Sequence, residues 1–290
     1  MKLFYWIFRL VAKSISLLPF GLIYIFSDFL AFCLGTIIRY RKKVVVSNLK
    51  NAFHEKSDDE IRKLTKGFYR NLADITFEVI KLETITKQEL LNRVSVEGEK
   101  IFREIYEKRQ GVVVVMSHTA NWEWISQRVC FEGNVFDDVG VIAKEMSNPY
   151  FEGYFTRVRM QLQQGIAEII PFTETAKYLA LKRHKRSMLI AIADQSPHIN
   201  QIKFRMPFLN QDTGIFLGPE RIARSLNYAL VFCHVQRTGR GYYKISFELL
   251  SETPRETEDY DITSVHVKML ENDIIKAPEA WLWSHRRWKY

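Results

Sequence analysis

At 290 residues and 47% hydrophobic content the chain can bury one sizeable core and still carry an appendage, which excludes a small scaffold held by cross-links. The formal net charge of +9 calls for something acidic to meet: nucleic acid, an anionic lipid surface or an acidic carrier protein. Cys33, Cys130 and Cys233 are odd in number, far apart and without a CxxC pair, so they read as free thiols in a reducing compartment rather than as a disulfide framework or a metal site.

Residues 1–43 differ from all that follows. Leu, Ile, Phe, Tyr and Trp dominate Leu3 to Ile38, and the segment closes on Arg39, Arg41, Lys42 and Lys43. A span from about Ser14 to Ile38 is long enough to cross a bilayer, with the basic cluster marking the cytoplasmic side. Pro19 and Gly21 point to a second shape, two helices dipping into one leaflet. No small-residue cleavage site follows, so a cleaved signal peptide fits poorly. We therefore divide the chain into a membrane-anchoring helical segment, 1–43, and a main domain, 44–290.

From Lys50 to Leu91, Ile61, Leu64, Phe68, Leu72, Ile75 and Val79 recur at three- and four-residue steps, predicting an amphipathic helix that starts near Asp58 and Asp59 and packs on the main body. Phe77 and Glu78 on this helix could approach the site, but a solvated carboxylate on a core helix is the reading expected for Glu78. Beyond Val94, apolar runs alternate with helical patterns: Gly111 to Met116, Val139 to Ala143, Ala167 to Pro171, Met188 to Ala193 and Ala229 to Val235, with Tyr242 to Leu250 as a hairpin partner. This alternation predicts an α/β fold, a mostly parallel central sheet flanked by helices. Such sheets place ligands beyond the carboxyl ends of their strands, where Ser117-His118 and Asp194-Gln195 fall.

The stretch Gly-Val-Val-Val-Val-Met-Ser-His-Thr-Ala-Asn-Trp-Glu-Trp, 111–124, carries the clearest chemistry. Its β-branched run suits a strand buried on both faces, and Ser117, Thr119 and Asn121 suit a helix start. In continuous helix Glu123 would be turned about 140° from His118 and the two could not meet. With His118 in the turn and Glu123 in the first helical turn, the carboxylate can reach back to the imidazole. A base and its orienter then share one short loop. The other reading is a capping histidine beside an ordinary first-turn glutamate, and the pair alone leaves both open.

Asp194 and Gln195 end their own apolar run as abruptly, so they either orient a polar acceptor or Arg159, or cap the turn at Ser196-Pro197. Arg157 and Arg159 sit two apart in a helical stretch, so at most one faces inward. Lys182-Arg-His-Lys-Arg186 can grip an acidic carrier or headgroups, or be a solvated face. The end of the chain interleaves Trp281, Trp283 and Trp288 with Arg286 and Arg287, and either meets a nucleic acid or membrane interface or packs on the domain. The histidines lack paired zinc spacing, and neither a GxSxG elbow nor a P-loop is present, so no metal and no cofactor is expected.

Taken together and in this order, the anchoring segment, Val45 to Phe53 with its Asn-Leu and Ala-Phe, His118 to Glu123 as an H-x4-E motif, Ala193-Asp-Gln195 and Trp281-Leu-Trp-Ser-His-Arg-Arg-Trp-Lys289 resemble the bacterial lipid A late acyltransferase family within the lysophospholipid acyltransferases. The resemblance runs over almost the whole chain. It implies a glycerolipid-acyltransferase-like fold in the bacterial inner membrane, facing the cytoplasm. It also implies transfer of a fatty acyl group from a thioester, of acyl-carrier protein or of CoA, to a hydroxyl of a lipid A precursor. On that basis His118 would deprotonate the hydroxyl, Glu123 would hold the imidazole and Asp194 would complete the catalytic set. Arg159 would hold a phosphate or stabilise the oxyanion, with Asn121 and Gln195 as further substrate-binding candidates. The Thr-Ala-Asn-Trp inside the motif is closer to relatives acting on other lipids, so a lysophospholipid, aminoacyl lipid or other glycolipid stands as the alternative acceptor. A non-catalytic basic protein of the membrane surface or of nucleic acid is the rival from another class.

Overall fold

The computed structural model describes residues 2–163 and 165–290. In chain order it comprises α1 (Lys2–Leu17), α2 (Phe20–Phe32), α3 (Lys42–Ala52), α4 (Asp58–Lys81), α5 (Lys87–Arg93), β1 (Val94–Glu97), α6 (Lys100–Glu107), β2 (Val112–Met116), α7 (Trp122–Glu132), β3 (Asp138–Ala143), α8 (Pro149–Met160), β4 (Ala167–Pro171), α9 (Thr175–Lys182), β5 (Ser187–Ile192), β6 (Arg205–Phe208), β7 (Gln211–Gly214), α10 (Gly218–Leu226), β8 (Ala229–Gly239), β9 (Tyr242–Ser251) and α11 (Asp261–Lys276).

The main sheet has seven strands in the order β1-β9-β8-β2-β5-β3-β4. Every pairing is parallel except that of β8 with β9. This is the α/β architecture the alternating pattern predicts. β2 lies at the centre, and its β-branched run is what two-sided burial requires: Val112, Val114 and Met116 enter one core, Val113 and Val115 the other. β6 and β7 form a separate antiparallel hairpin. That hairpin, the short β1 and the division of 50–91 among three helices have no clear period in the sequence. α4 itself begins where the two aspartates suggest, but its cap is Ser57, in a reciprocal box with Glu60.

The N-terminal segment is two helices broken at Pro19, whose ring cannot continue α1 but fits the start of α2. A π-helical turn, Cys33–Ile37, extends α2. Phe20–Ile37 has a mean hydropathy of 1.8 and is long and apolar enough to cross a membrane, yet only 11% of it is buried in the protein. Tyr24, Ser27 and Asp28 on this segment face α4 or the β8–β9 turn. Ser27 Oγ donates to Asp74 at 2.6 Å, Tyr24 Oη donates to Glu78 at 2.9 Å, and Arg240 bonds Asp28 at 2.7 Å. The opposite side exposes Leu22, Ile25, Phe26, Phe29 and Phe32, and α1 adds Leu3, Phe4, Trp6, Ile7 and Leu10. Its other flank packs on α8, Tyr5 against Tyr150 at 5.3 Å and Phe8 against Tyr154 at 5.1 Å.

The closing Trp281 and Trp283 are 2% and 0% exposed and pack with Phe208 and Trp288 in the core beneath the sheet edge. Packing on the domain, not an exposed aromatic surface, is therefore what the tail does. The basic run 182–186 precedes β5, at the opposite end of that strand from Asp194. Three of its cations are already engaged, Lys182 with Asp138 and Glu168, Lys185 with Asp138, and Arg186 with Asp137.

Candidate active site

The site follows from sheet register. β2 and β5 are parallel neighbours with Met116 opposite Ile192, and the ladder continues with Ala193 N donating to Met116 O at 3.0 Å. His118 and Asp194 each lie two residues past that pair, so they meet beyond the carboxyl ends of the two strands. The chain then turns sharply: Ala120 takes a left-handed φ of 52° and its N–H is held by Ala280 O at 2.8 Å. Asn121 caps α7, its Oδ1 accepting from Trp124 N at 3.0 Å.

Asp194 receives three donors. Its Oδ1 lies 2.6 Å from His118 Nδ1, while Oδ2 accepts from the His118 main-chain N–H at 3.0 Å and from the Trp281 indole at 2.8 Å. A carboxylate only accepts here, so the imidazole carries its proton on Nδ1 and presents the Nε2 lone pair. Gln195 Nε2 lies 3.3 Å from that nitrogen and donates to it. Trp122 stands edge-on to the imidazole, with centroids 5.1 Å apart.

Glu123 does not hold the imidazole. Both its oxygens face Arg159, with Nε to Oε2 at 2.8 Å and Nη2 to Oε1 at 2.5 Å. The rigid fork of the guanidinium matches two carboxylate oxygens, and Asp194 already occupies Nδ1, so the carboxylate on the imidazole comes from 76 residues away rather than from the same loop. Of the two arginines, Arg159 faces inward, whereas Arg157 is more exposed and stands 3.7 Å from Glu83. Asn121 does not reach a substrate: it is fully buried, and its Nδ2 donates to Glu78 at 2.8 Å. Glu78 is likewise not solvated but 0% exposed. Trp281, whose indole fixes Asp194, escaped sequence reasoning, because a tryptophan in a polar tail gives no hint of which buried acceptor its N–H will meet.

A cavity of about 750 Å³ adjoins these groups. His118, Trp122, Glu123, Arg159 and Gln195 line it together with an apolar wall that includes Ile142, Ile169, Leu179, Ile192 and Phe216. Its size and mixture of a long apolar wall with a few convergent polar groups fit a lipid-sized ligand. The model of the bacterial lipid A biosynthesis acyltransferase family matches residues 1–290. The chain belongs to that family. A search among curated proteins returns no match.

For an enzyme that transfers acyl groups, the electrostatics of the acyltransferase site are informative. Burial pulls the His118 imidazole down, but the charge of Asp194, the hydrogen bond to it and the charge of Glu123 outweigh burial and leave it raised. Burial pushes Asp194 up, and His118 with the Trp281 and main-chain donors brings it below the ordinary carboxylate range. His285 is driven down to about 4 by burial, so it stays neutral at pH 7. Burial lowers Arg159, and Glu123 more than restores it. The acyltransferase thus sets an oriented imidazole and a firmly cationic guanidinium on one cavity wall, the components that proton removal and anion binding require.

Proposed function

We propose that this acyltransferase moves a fatty acyl chain from an acyl thioester to a hydroxyl of a lipid A precursor at the cytoplasmic face of the inner membrane, with acyl-carrier protein as the preferred donor. Residues 1–43 form the anchor and 44–290 the catalytic domain. The observation that carries this reading is the Asp194–His118 pair opening onto a largely apolar cavity beside Arg159.

The acceptor hydroxyl replaces the Gln195 amide at His118 Nε2. His118 takes the hydroxyl proton while the oxygen attacks the thioester carbonyl, and Asp194 stabilises the imidazolium that forms. Arg159, held by both oxygens of Glu123, faces the developing oxyanion or a phosphate of the acceptor. The C–S bond then breaks, and the thiolate recovers the proton from His118. No acyl-enzyme forms in this sequence.

The anchor lies in one leaflet. α2 runs along α4, which exposes Arg62, Lys63 and Lys66. A fully crossing α2 would carry those cations into hydrocarbon at about 2.5–3.5 kcal/mol each. The apolar sides of α1 and α2 instead enter the headgroup and acyl boundary.

The test is an assay of membranes holding wild type or His118→Ala, with acyl-carrier-protein thioester and two acceptors in parallel, tetra-acylated lipid A precursor and a lysophospholipid. Acylation of the precursor, lost in the variant, is the expected result. Activity on the lysophospholipid alone would move the enzyme to another pathway. Equal activity in both proteins would remove His118 as the base.

A further inference from the structure

Along one side of α4, Asp74, Glu78 and Lys81 are all buried and all meet the anchor. Asp74 accepts from Ser27, Glu78 from Tyr24, and Lys81 Nζ donates to Ser16 O and Leu18 O at 2.8 and 2.9 Å. Of these three only Glu78 also reaches the loop that carries His118. Its Oε1 accepts from Tyr24, its Oε2 accepts from Asn121 Nδ2 at 2.8 Å and from Tyr243 Oη at 2.6 Å, and its main-chain oxygen accepts from the Trp124 indole at 2.8 Å. Asn121 and Trp124 are the cap and first turn of α7, three and six residues after the base. The anchor touches the same turn a second time, Phe20 standing edge-on to Trp124 at 5.9 Å. Tyr24 is itself fixed by Arg240, 4.5 Å above its ring, and by Gly241, whose φ of 74° and lack of a side chain leave room for the phenol.

We propose that Glu78 is a positioning residue for His118, tying the first turn of α7 to membrane helix α2 so that seating of the anchor in the bilayer sets the geometry of the catalytic loop. A buried carboxylate is costly unless its acceptor sites are filled, and here every donor comes from an element that must be in place for the site to form. The apolar side of α2 is exposed in the absence of lipid, so the bilayer completes its packing. An anchor that is not seated leaves Tyr24 free to withdraw its donor, and the α7 cap loses its brace. The inference rests on the role proposed for His118, but its first test does not need activity.

The full chain is reconstituted in vesicles of phosphatidylethanolamine and phosphatidylglycerol, and hydrogen exchange of segment 117–126 is followed for wild type, Tyr24→Phe, Glu78→Ala, Glu78→Gln and Ser27→Ala. Glu78→Gln can keep all contacts, since the Tyr24 hydroxyl can accept from an amide. Wild type is expected to protect the segment about tenfold more in vesicles than in detergent micelles. Tyr24→Phe and Glu78→Ala should lose that difference, while Glu78→Gln and Ser27→Ala should keep it with unchanged vesicle binding. In turnover, Glu78→Ala should lower kcat at least tenfold with KM within twofold, and Glu78→Gln should recover most of it. Unchanged protection in Tyr24→Phe, or equal loosening by Ser27→Ala, would overturn the tie. Where wild type turns over neither acceptor but the exchange pattern holds, the tie stands and the proposed reaction falls.

Discussion

His118 makes its shortest contact with a residue 76 positions away, and that contact decides what the imidazole can do. By analogy with hydroxyl-activating triads, His118→Ala should lower kcat by about 10²–10⁴, and Asp194→Asn should cost a comparable factor because the amide no longer fixes the tautomer. The raised His118 also sets a pH dependence. In the proposed reaction His118 must be neutral to take a proton, so the rate of acyl transfer should climb as pH rises through a value above the ordinary imidazole range near 6.5. Stability runs the other way: the contribution of the raised His118 is complete below the unfolded imidazole pKa and fades as pH rises through the folded one. A pH–rate profile whose acid limb moves downward in Asp194→Asn would support this assignment; an unmoved limb would oppose it. Glu123 belongs to a separate pair. Glu123→Gln should move that limb downward less than Asp194→Asn does, since Glu123 acts on the imidazole through its charge alone, and raise KM for the acceptor roughly tenfold, through a loosened charge-assisted bond to Arg159, measured by acceptor titration.

Helices α2 and α11 give predictions at the next scale. Replacing Ile25 and Phe29, 64% and 67% exposed, by aspartate removes two side chains of about 1.5–3 kcal/mol each from the lipid boundary, so vesicle binding should fall by at least tenfold. Thermal unfolding in detergent should barely change, since neither side chain contributes to the core. On α11, His266 is 3% exposed and held down to about 4 by burial. Its folded value is depressed, so its contribution is present above about 6.5 and is lost as pH falls towards 4. His266→Leu should flatten the loss of stability over that window, read from chemical denaturation at pH 7 and pH 5. The same scale explains two misreadings of the sequence. Periodicity marks Glu78 as merely polar on an amphipathic helix, whereas its burial depends on α2 arriving to cover it. Asn121 announces a helix start correctly, and the same side chain is then consumed by that start and by Glu78.

Across the whole molecule the cavity joins the site to the sheet, and Cys130, one turn below Ser126 and Gln127 on α7, lines it. Cys130→Phe should narrow the space and shift preference towards shorter acyl chains. With about 0.8 kcal/mol per buried CH₂, losing room for two methylenes lowers kcat/KM for the longest donor roughly tenfold, measurable by competition between donors of graded length. What the sequence by itself determined is local: most of the strand runs, the turn at His118, and the sheet class, because each follows from side-chain shape and period within a few residues. The combination of motifs also carried the family. Which carboxylate serves which cation was decided only by tertiary structure. Strand order puts β5 beside β2, register brings Asp194 to His118, and the C-terminal tail then supplies Trp281 to hold it. Pairings between distant segments depend on strand order and packing, and neither is written in the spacing of the residues they join.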